Sequence, residues 1–470
     1  MLKLSEKHAV ISQKLLIVFV AIVTFMLCIL PMSKLPIWNG EDPEHRNQYE
    51  LMAEAILDGR IHLIYGDEGE LENLKNPYDP AEREEAGVTY HWDHAYYNGH
   101  YYMYFGIVPV FLTFLPYRIV TGQALTTYHA TQIFTIAIVI GIFVLFRMLS
   151  KLFFKKLDLL PYLSLSVAFS VMSVWYAAAR PALYCTAITA GIALELWSIY
   201  FFVRAVYCDG TENKKILFAA IGALLGALVF GCRPTIGLAN IVVLPLLFVF
   251  LRERKITAKL IGKLALAALP YFIVAACLMT YNYVRFDNPL EFGQAYQLTV
   301  TDQSSYNMSI GLYEIFRVVN DTISNFFAYS GMDPVFPYLH ASSVFMNFPI
   351  LMLSAFIIHP LVYKRLLNTK AAYFIGGLAV SVLVITAADI LWSPYFTERY
   401  RMDMYFLLAI VCFMILGFLY DGTSHKRIMN VVIVGFSVLT VASSLLLCME
   451  RIYGDCPDAA IKVSDLFSLF

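Results

Sequence analysis

Eleven stretches of about 20 mostly apolar residues recur along the chain, near 15–32, 128–148, 160–179, 182–203, 215–232, 235–251, 261–281, 343–362, 371–391, 404–420 and 428–448. A stretch of that length is what a helix needs to cross the hydrocarbon core of a bilayer. A water-soluble core could not hide so many. Apolar residues make up 59 % of the 470 positions and charged residues 15 %, where a soluble domain carries about 25 % charge. The mean hydropathy of +0.65 agrees. A formal net charge of −1 removes binding to nucleic acid by bulk charge. The class expected is an all-α polytopic membrane protein with about 11 transmembrane helices. The eight cysteines show no disulfide or zinc-ligand spacing and read as small apolar residues.

Orientation follows from the basic residues. The first run comes after Lys3, Lys7 and Lys14 and has no small-residue cleavage site behind it, so it reads as a retained signal-anchor. A twelfth apolar run, Ile107 to Val120, is short and holds Pro109 and Pro116. Counting it as a span would send Lys151, Lys155 and Lys156 outside. Treated as a surface or re-entrant segment, it leaves 20 of the 34 Lys and Arg in short inner segments. The positive-inside bias therefore predicts an N-terminus inside and a C-terminus outside.

The expected organisation is then a cytoplasmic N-terminus and first span (1–32), an outer catalytic loop with surface and re-entrant helices (33–127), core spans (128–281), a second outer loop of mixed polarity (282–342), C-terminal spans (343–448) and an outer tail (449–470). The inner loops are too short to fold, so chemistry belongs to the outer face. In the first loop, Asp42 is a good helix N-cap ahead of Pro43. Tyr49, Met52, Ala53, Ile56 and Leu57 repeat at helical spacing until Gly59, which predicts a helix lying on the membrane surface or on a span end. The run from Tyr90 to Tyr102 is dense in aromatic and hydrogen-bonding groups.

This succession resembles the C-type (integral membrane) glycosyltransferase superfamily, which includes the protein O-mannosyltransferases and the lipid A aminoarabinose transferase. The resemblance covers the first span, the acidic Glu41 and Asp42 directly after it, the helix Tyr49–Gly59 and the apolar surface segment around Pro109–Tyr117, and extends more weakly to about residue 290. It implies a polyprenyl-phosphate sugar donor, transfer on the outer face, and a catalytic Asp just after the first span. Asp42 is the candidate, with Glu41 as the adjacent alternative. The acceptor implied is a hydroxyl on lipid, glycan or protein. The chain has no Trp-Trp-Asp motif, which argues against oligosaccharide transfer to asparagine. The setting expected is an integral protein of a bacterial cell membrane.

Further candidates come from the residues themselves. Asp93, flanked by His91 and His94, has the ligand chemistry for a divalent metal ion, or for contact with sugar or acceptor. Tyr96 and Tyr102 can stack on sugar rings or belong to the interfacial aromatic belt. Arg180 and Arg233 each precede a proline at an outer hairpin turn, against the charge bias, where a guanidinium can clamp the donor phosphate or pair with a loop carboxylate. Arg285 and Glu291 open the second outer loop, and Glu398 and Arg399 lie in a short late one, as substrate-binding or interfacial anchoring groups.

Two other functions compete. A secondary transporter should carry ionisable groups at the bilayer midplane, broken helices and an internal repeat; Glu195 is the one carboxylate deep in a run, and no repeat is visible. A polysaccharide polymerase or ligase would place its main loop late in the chain, whereas here the largest loop follows the first span.

Overall fold

The computed structural model describes residues 2–34, 48–66, 69–252, 254–305, 311–329, 331, 334–392, 397–454 and 456–467. Glu41 and Asp42 lie outside the described residues. Among the described residues, ten helices are long and apolar enough to cross a bilayer: Ile11–Ile29, Thr127–Phe153, Leu159–Ala179, Leu183–Tyr207, Glu212–Phe230, Pro234–Leu251, Ala258–Phe286, Ala371–Trp392, Glu398–Gly422 and Lys426–Tyr453. An eleventh crossing is broken, with Pro349–Ile358 and Pro360–Asn368 meeting at 71°. The break has a cause in sequence. Pro360 has no N–H and drives His359 into extended backbone (ψ 134°).

Local chemistry sets several helix starts. Thr126, Thr211 and Thr257 each accept a hydrogen bond from the N–H three residues on, which satisfies one otherwise orphan donor. Within the spans, Ser and Thr hydroxyls donate back to carbonyls one turn earlier, as Ser173 does to Phe169 (2.7 Å) and Thr386 to Val382 (2.8 Å). Such bonds let a hydroxyl sit where no water reaches it. The span Glu398–Gly422 is enclosed nearly all round, while the first span and Ala258–Phe286 lie at the rim. Phe413 of the central span stacks on Phe146 at 3.9 Å in the main core.

Contacts between loops assign the two ends of the bundle. At one end, the Lys156 N–H donates to Asp421 (2.9 Å), Arg365 pairs with Asp421, Tyr207 donates to the Lys370 carbonyl (3.1 Å) and Lys263 pairs with Glu212. At the other, the Asp93 N–H donates to the Leu298 carbonyl (3.0 Å), His340 meets Glu450 (3.6 Å) and the Cys456 N–H reaches the Phe336 carbonyl (3.0 Å). These groups match the inner and outer segments expected from charge. His340 and Arg365 fall at opposite ends, so the bent pair between them does cross, and the count is eleven.

The short apolar segment does not cross. Its helix, Val110–Thr121, falls well short of the about 20 residues that a span requires. Val110 and Phe114 turn inward and Phe111, Leu112, Ile119 and Val120 outward. The helix Gln48–Leu57 rides on it, with Tyr49 stacked on Phe114 (5.2 Å) and Glu50 paired with Arg118 (3.0 Å). Glu50, off the helix's apolar stripe, is buried against that arginine.

The first outer loop also holds a hairpin, Ala95–Tyr97 with His100–Tyr102. The second loop folds over it. Ala95 bridges Gln297, Tyr96 N–H donates to the Tyr296 carbonyl (2.9 Å), and buried Arg83 reaches the Thr299 carbonyl (2.5 Å). Residues 282–305 are thus part of the first loop's fold rather than a separate excursion.

Candidate active site at the outer end of the bundle

Where the two outer loops meet the bundle there is a cavity of about 540 Å³. Its walls come from six places: the first loop (Trp92, Asp93, Tyr104–Ile107), the start of the span Leu183–Tyr207 (Tyr184, Ala187), the turn Phe230–Thr235, the end of the span Ala258–Phe286, the second loop around Gln297–Thr301, and Trp392 with Arg399 and Tyr400. The first loop approaches the turn so closely that a Cβ on Gly106 would lie 2.2 Å from the Gly231 carbonyl oxygen. The adjacent Val108 N–H donates to that same oxygen (2.8 Å). Glycine is required there because the two backbones touch.

Asp93 is the carboxylate of this lining. Its backbone is left-handed (φ 56°), a conformation Asp tolerates better than most residues. The Gln48 side chain donates to its carbonyl (2.8 Å), Gln297 to its Oδ1 (2.8 Å) and the Tyr184 hydroxyl to its Oδ2. Burial pushes the Asp93 carboxyl up to about 6, against the opposing pull of Arg399. It therefore stays ionised at neutral pH.

Three arginines line the same space, each held differently. Arg233 Nε donates to Asp403 Oδ2 (2.6 Å), which also accepts from Thr235 (2.7 Å). Asp403 and the neighbouring Asp389 are wholly buried. The Arg233 Nη2 has no acceptor among the described residues. Arg285 donates to the Met103 carbonyl and to Asn282 (both 2.8 Å) and lies over Tyr281 (3.9 Å). Arg399 lies over Tyr184 (4.1 Å) and donates to no described residue. Arg233 and Arg399 thus both border a space walled by Trp92, Tyr104, Tyr184, Trp392 and Tyr400, although the unpartnered Arg233 Nη2 itself is buried.

Of the residues singled out in the sequence, Asp93, Arg233, Arg285 and Arg399 come together here. Glu41 and Asp42 lie outside the described residues, and the remaining candidates do not line the cavity. His94 packs behind Asp93, where burial pushes it down to about 3, so the ring is neutral; Nδ1 bonds the Trp92 carbonyl (2.9 Å) and Nε2 the Tyr65 hydroxyl (2.6 Å). His91 stacks on Tyr65 at 3.5 Å. Tyr96 and Tyr102 are buried in the loop cores. Glu291 accepts from the Gly293 N–H (2.6 Å) and fixes a turn. Arg180 is exposed at the end of its span, and Glu398 opens the helix that carries Arg399.

The divalent ion considered from the sequence does not fit this set. Both His94 nitrogens and both Asp93 oxygens already have partners, and among the described residues no three His, Cys, Asp or Glu side chains converge. Gln48, Tyr184, Gln297 and Asp403 carry no mark in the sequence. Each is a polar residue in or beside an apolar or loop run, and only its contact gives it meaning.

The fold defines the chain as an eleven-span, all-α membrane protein with a structured outer site. No protein-family model and no curated protein matches it. Among solved structures it is similar to the oligosaccharyltransferase of Archaeoglobus fulgidus in the apo form (TM-score 0.46, 14 % identity, 97 % of this chain and 60 % of that one). The form tethered with an acceptor peptide containing the NVT sequon gives TM-score 0.47, 13 % identity, and 97 % and 59 % coverage. The archaeal AglB complex with an inhibitory peptide and a dolichol-phosphate gives 0.46, 12 %, 97 % and 60 %. The chain thus spans about 60 % of the length of the enzyme it matches. The likeness is distant, and the cavity carries the functional reading.

Proposed function

We propose that the chain is a membrane glycosyltransferase of the C-type kind, moving a sugar from a polyprenyl-phosphate donor to an acceptor hydroxyl on the outer face of a cell membrane. The observation that carries this reading is the meeting of Arg233, Arg285, Arg399 and one carboxylate in a single aromatic-walled cavity at the outer end of the bundle. A lipid-borne phosphate sugar brings to that depth an anionic phosphate, a ring with stackable faces and hydroxyl donors. The lining offers a counterpart to each. Arg233 and Arg399 supply charge-assisted donors for the phosphate, the aromatic walls face the sugar, and Asp93 accepts from a hydroxyl.

In the reaction, the acceptor oxygen attacks the anomeric carbon as the bond to the phosphate oxygen breaks. The electron pair leaves with the phosphate, where the arginines stabilise the growing charge. The acceptor proton passes to a carboxylate. Asp42 takes that role by resemblance to the superfamily. It stands six residues before Gln48, whose side chain holds Asp93, so the backbone can place it no more than about 20 Å from Gln48. Asp93, with both oxygens already bonded, is the binding group. A transporter would hold its substrate near the bilayer midplane, whereas this cavity lies at the outer end.

The test is turnover with purified protein in nanodiscs and a panel of radiolabelled polyprenyl-phosphate sugars. Asp42→Asn should lower turnover by about 100-fold or more with donor affinity nearly kept. Arg399→Gln should raise the Michaelis constant by about 10- to 150-fold, since a charge-assisted hydrogen bond is worth roughly 1.5–3 kcal/mol. If no polyprenyl phosphate binds and solute moves across the bilayer instead, the reading is wrong.

A further inference from the structure

The helix Leu312–Phe327 belongs to the second outer loop, which its mixed composition marks as a soluble excursion. Its packing is the reverse of a soluble helix. Leu312, Phe316, Val319, Ile323 and Phe327 recur at helical spacing and are 52–75 % exposed. Glu314, Arg317 and Asp321 are half-buried on the side turned to the protein. On that side too, buried Asn325 accepts from Arg401 Nε (2.7 Å). With its charged residues inward and its largest apolar side chains, Phe326 excepted, outward beside exposed Asn320 and Ser324, the helix is inside-out for water and suited to the interface with hydrocarbon.

Two further observations say what covers the apolar face. The helix packs against the span Ala371–Trp392, whose Val380 and Leu383 are themselves exposed and apolar as lipid-facing residues are. The apolar face of the helix is thus continuous with the lipid-facing belt of the bundle. Its charges are also few and turned inward, so nothing on the outward face calls for an anionic headgroup or an acidic protein. At 16 residues it is about 24 Å long by the helical rise, too short to span and long enough to lie along a leaflet.

We propose that Leu312–Phe327 is an interfacial helix embedded in the outer leaflet, with its apolar face against lipid acyl chains. Its inner end is tied through Asn325 to Arg401, two residues from the cavity arginine Arg399. The site is therefore anchored to the leaflet from which a lipid-borne substrate would enter. The proposal rests on the membrane fold and stands whether or not the chain transfers sugar.

Spin labels report it directly. Full-length protein carrying Phe316→Cys or Ile323→Cys, in a background with exposed Cys277 and half-exposed Cys208 replaced, would be placed in phosphatidylcholine nanodiscs and compared with a label at Glu85→Cys on the exposed first loop. Collision with oxygen should exceed collision with a water-soluble nickel chelate several-fold more at 316 and 323 than at 85. The opposite labels, Arg317→Cys and Asp321→Cys, should meet neither reagent freely. Nickel access at 316 and 323 equal to that at 85 would show a helix in water and overturn the proposal. Low access to both reagents at 316 and 323 would show a protein partner or a second copy on that face, and would overturn it as well.

Discussion

Replacing Asp93 by Asn separates a carboxylate kept for substrate from one kept for the fold. Asn matches Asp in shape and accepts left-handed backbone as readily. Both native contacts can be remade, with the amide oxygen taking the Gln297 donor and the amide nitrogen giving to the Tyr184 hydroxyl. What changes is charge. The carboxyl titrates at about 6 in the folded loop against 3.8 ordinarily. Between those two values the folded state holds a proton that the unfolded chain has released, so stability falls as pH rises through that window and levels off above it. The difference, at 1.36 kcal/mol per pH unit, makes the ionised carboxylate cost about 3 kcal/mol at neutral pH.

Asp93→Asn removes that cost. Thermal unfolding in detergent, followed by intrinsic fluorescence, should show the variant melting with wild type near pH 4 and a few degrees above it near pH 7.5. The same variant should bind a polyprenyl-phosphate sugar about 10-fold or more weakly, because a charge-assisted hydrogen bond to a sugar hydroxyl becomes a neutral one. A melting difference that does not change with pH would refute the burial account. Unchanged binding would return Asp93 to a structural role.

Gly106→Ala must push the first loop off the turn at Gly231, since its Cβ would meet two backbone carbonyls at 2.2 and 2.5 Å. With the Val108 bond strained as well, local stability should fall by about 1–3 kcal/mol, seen as faster amide exchange over 104–110 with the spans unaffected. Glu195 lies mid-span with Oε2 bonded by Asn240 (3.1 Å) and Oε1 without a hydrogen-bond partner among the described residues. Glu195→Gln keeps the bond and removes an ionisable group from the membrane interior, so Tm should hold or rise and turnover persist; a lost activity would point to a proton site there. A single cysteine at position 155 should resist an impermeant outside reagent that labels one at position 85, and strong labelling at 155 would sink the topology.

Much of the fold could be read from the sequence because membrane crossing is a length-and-charge problem. The eleven runs, the non-crossing Ile107–Val120 segment and the two ends of the bundle all follow from hydrophobic length, proline position and the placement of basic residues. The break at His359–Pro360 was present as a proline but sits inside an otherwise spanning run, where proline is tolerated. The cavity was half legible. Arg233 stood out because a basic residue on the outer side violates a bias, and Arg399 only as a member, with Glu398, of a short late outer loop. Arg180 stood out by the same rule yet lies elsewhere, since the rule marks depth and not direction. Tyr184 and Asp403 carry no such mark: each matters through a contact over 91 and 170 residues of chain respectively. The helix Leu312–Phe327 looked polar in its loop because averaging over a segment hides which face each residue takes.

The way the second outer loop closes over the first bears on how the protein is made. Asp93 is synthesised early, on a loop that leaves the membrane after a single span. Its partners Gln297 and Arg399 follow 204 and 306 residues later, on either side of the bent crossing. A chain inserted in order therefore displays Asp93 for most of its synthesis with an incomplete cavity around it, and gains the last wall only when the ninth crossing has led to the tenth. Truncated or stalled products would carry the acidic loop but no binding site. A complete cavity is therefore a property of the finished chain alone, because its walls are drawn from segments far apart in sequence.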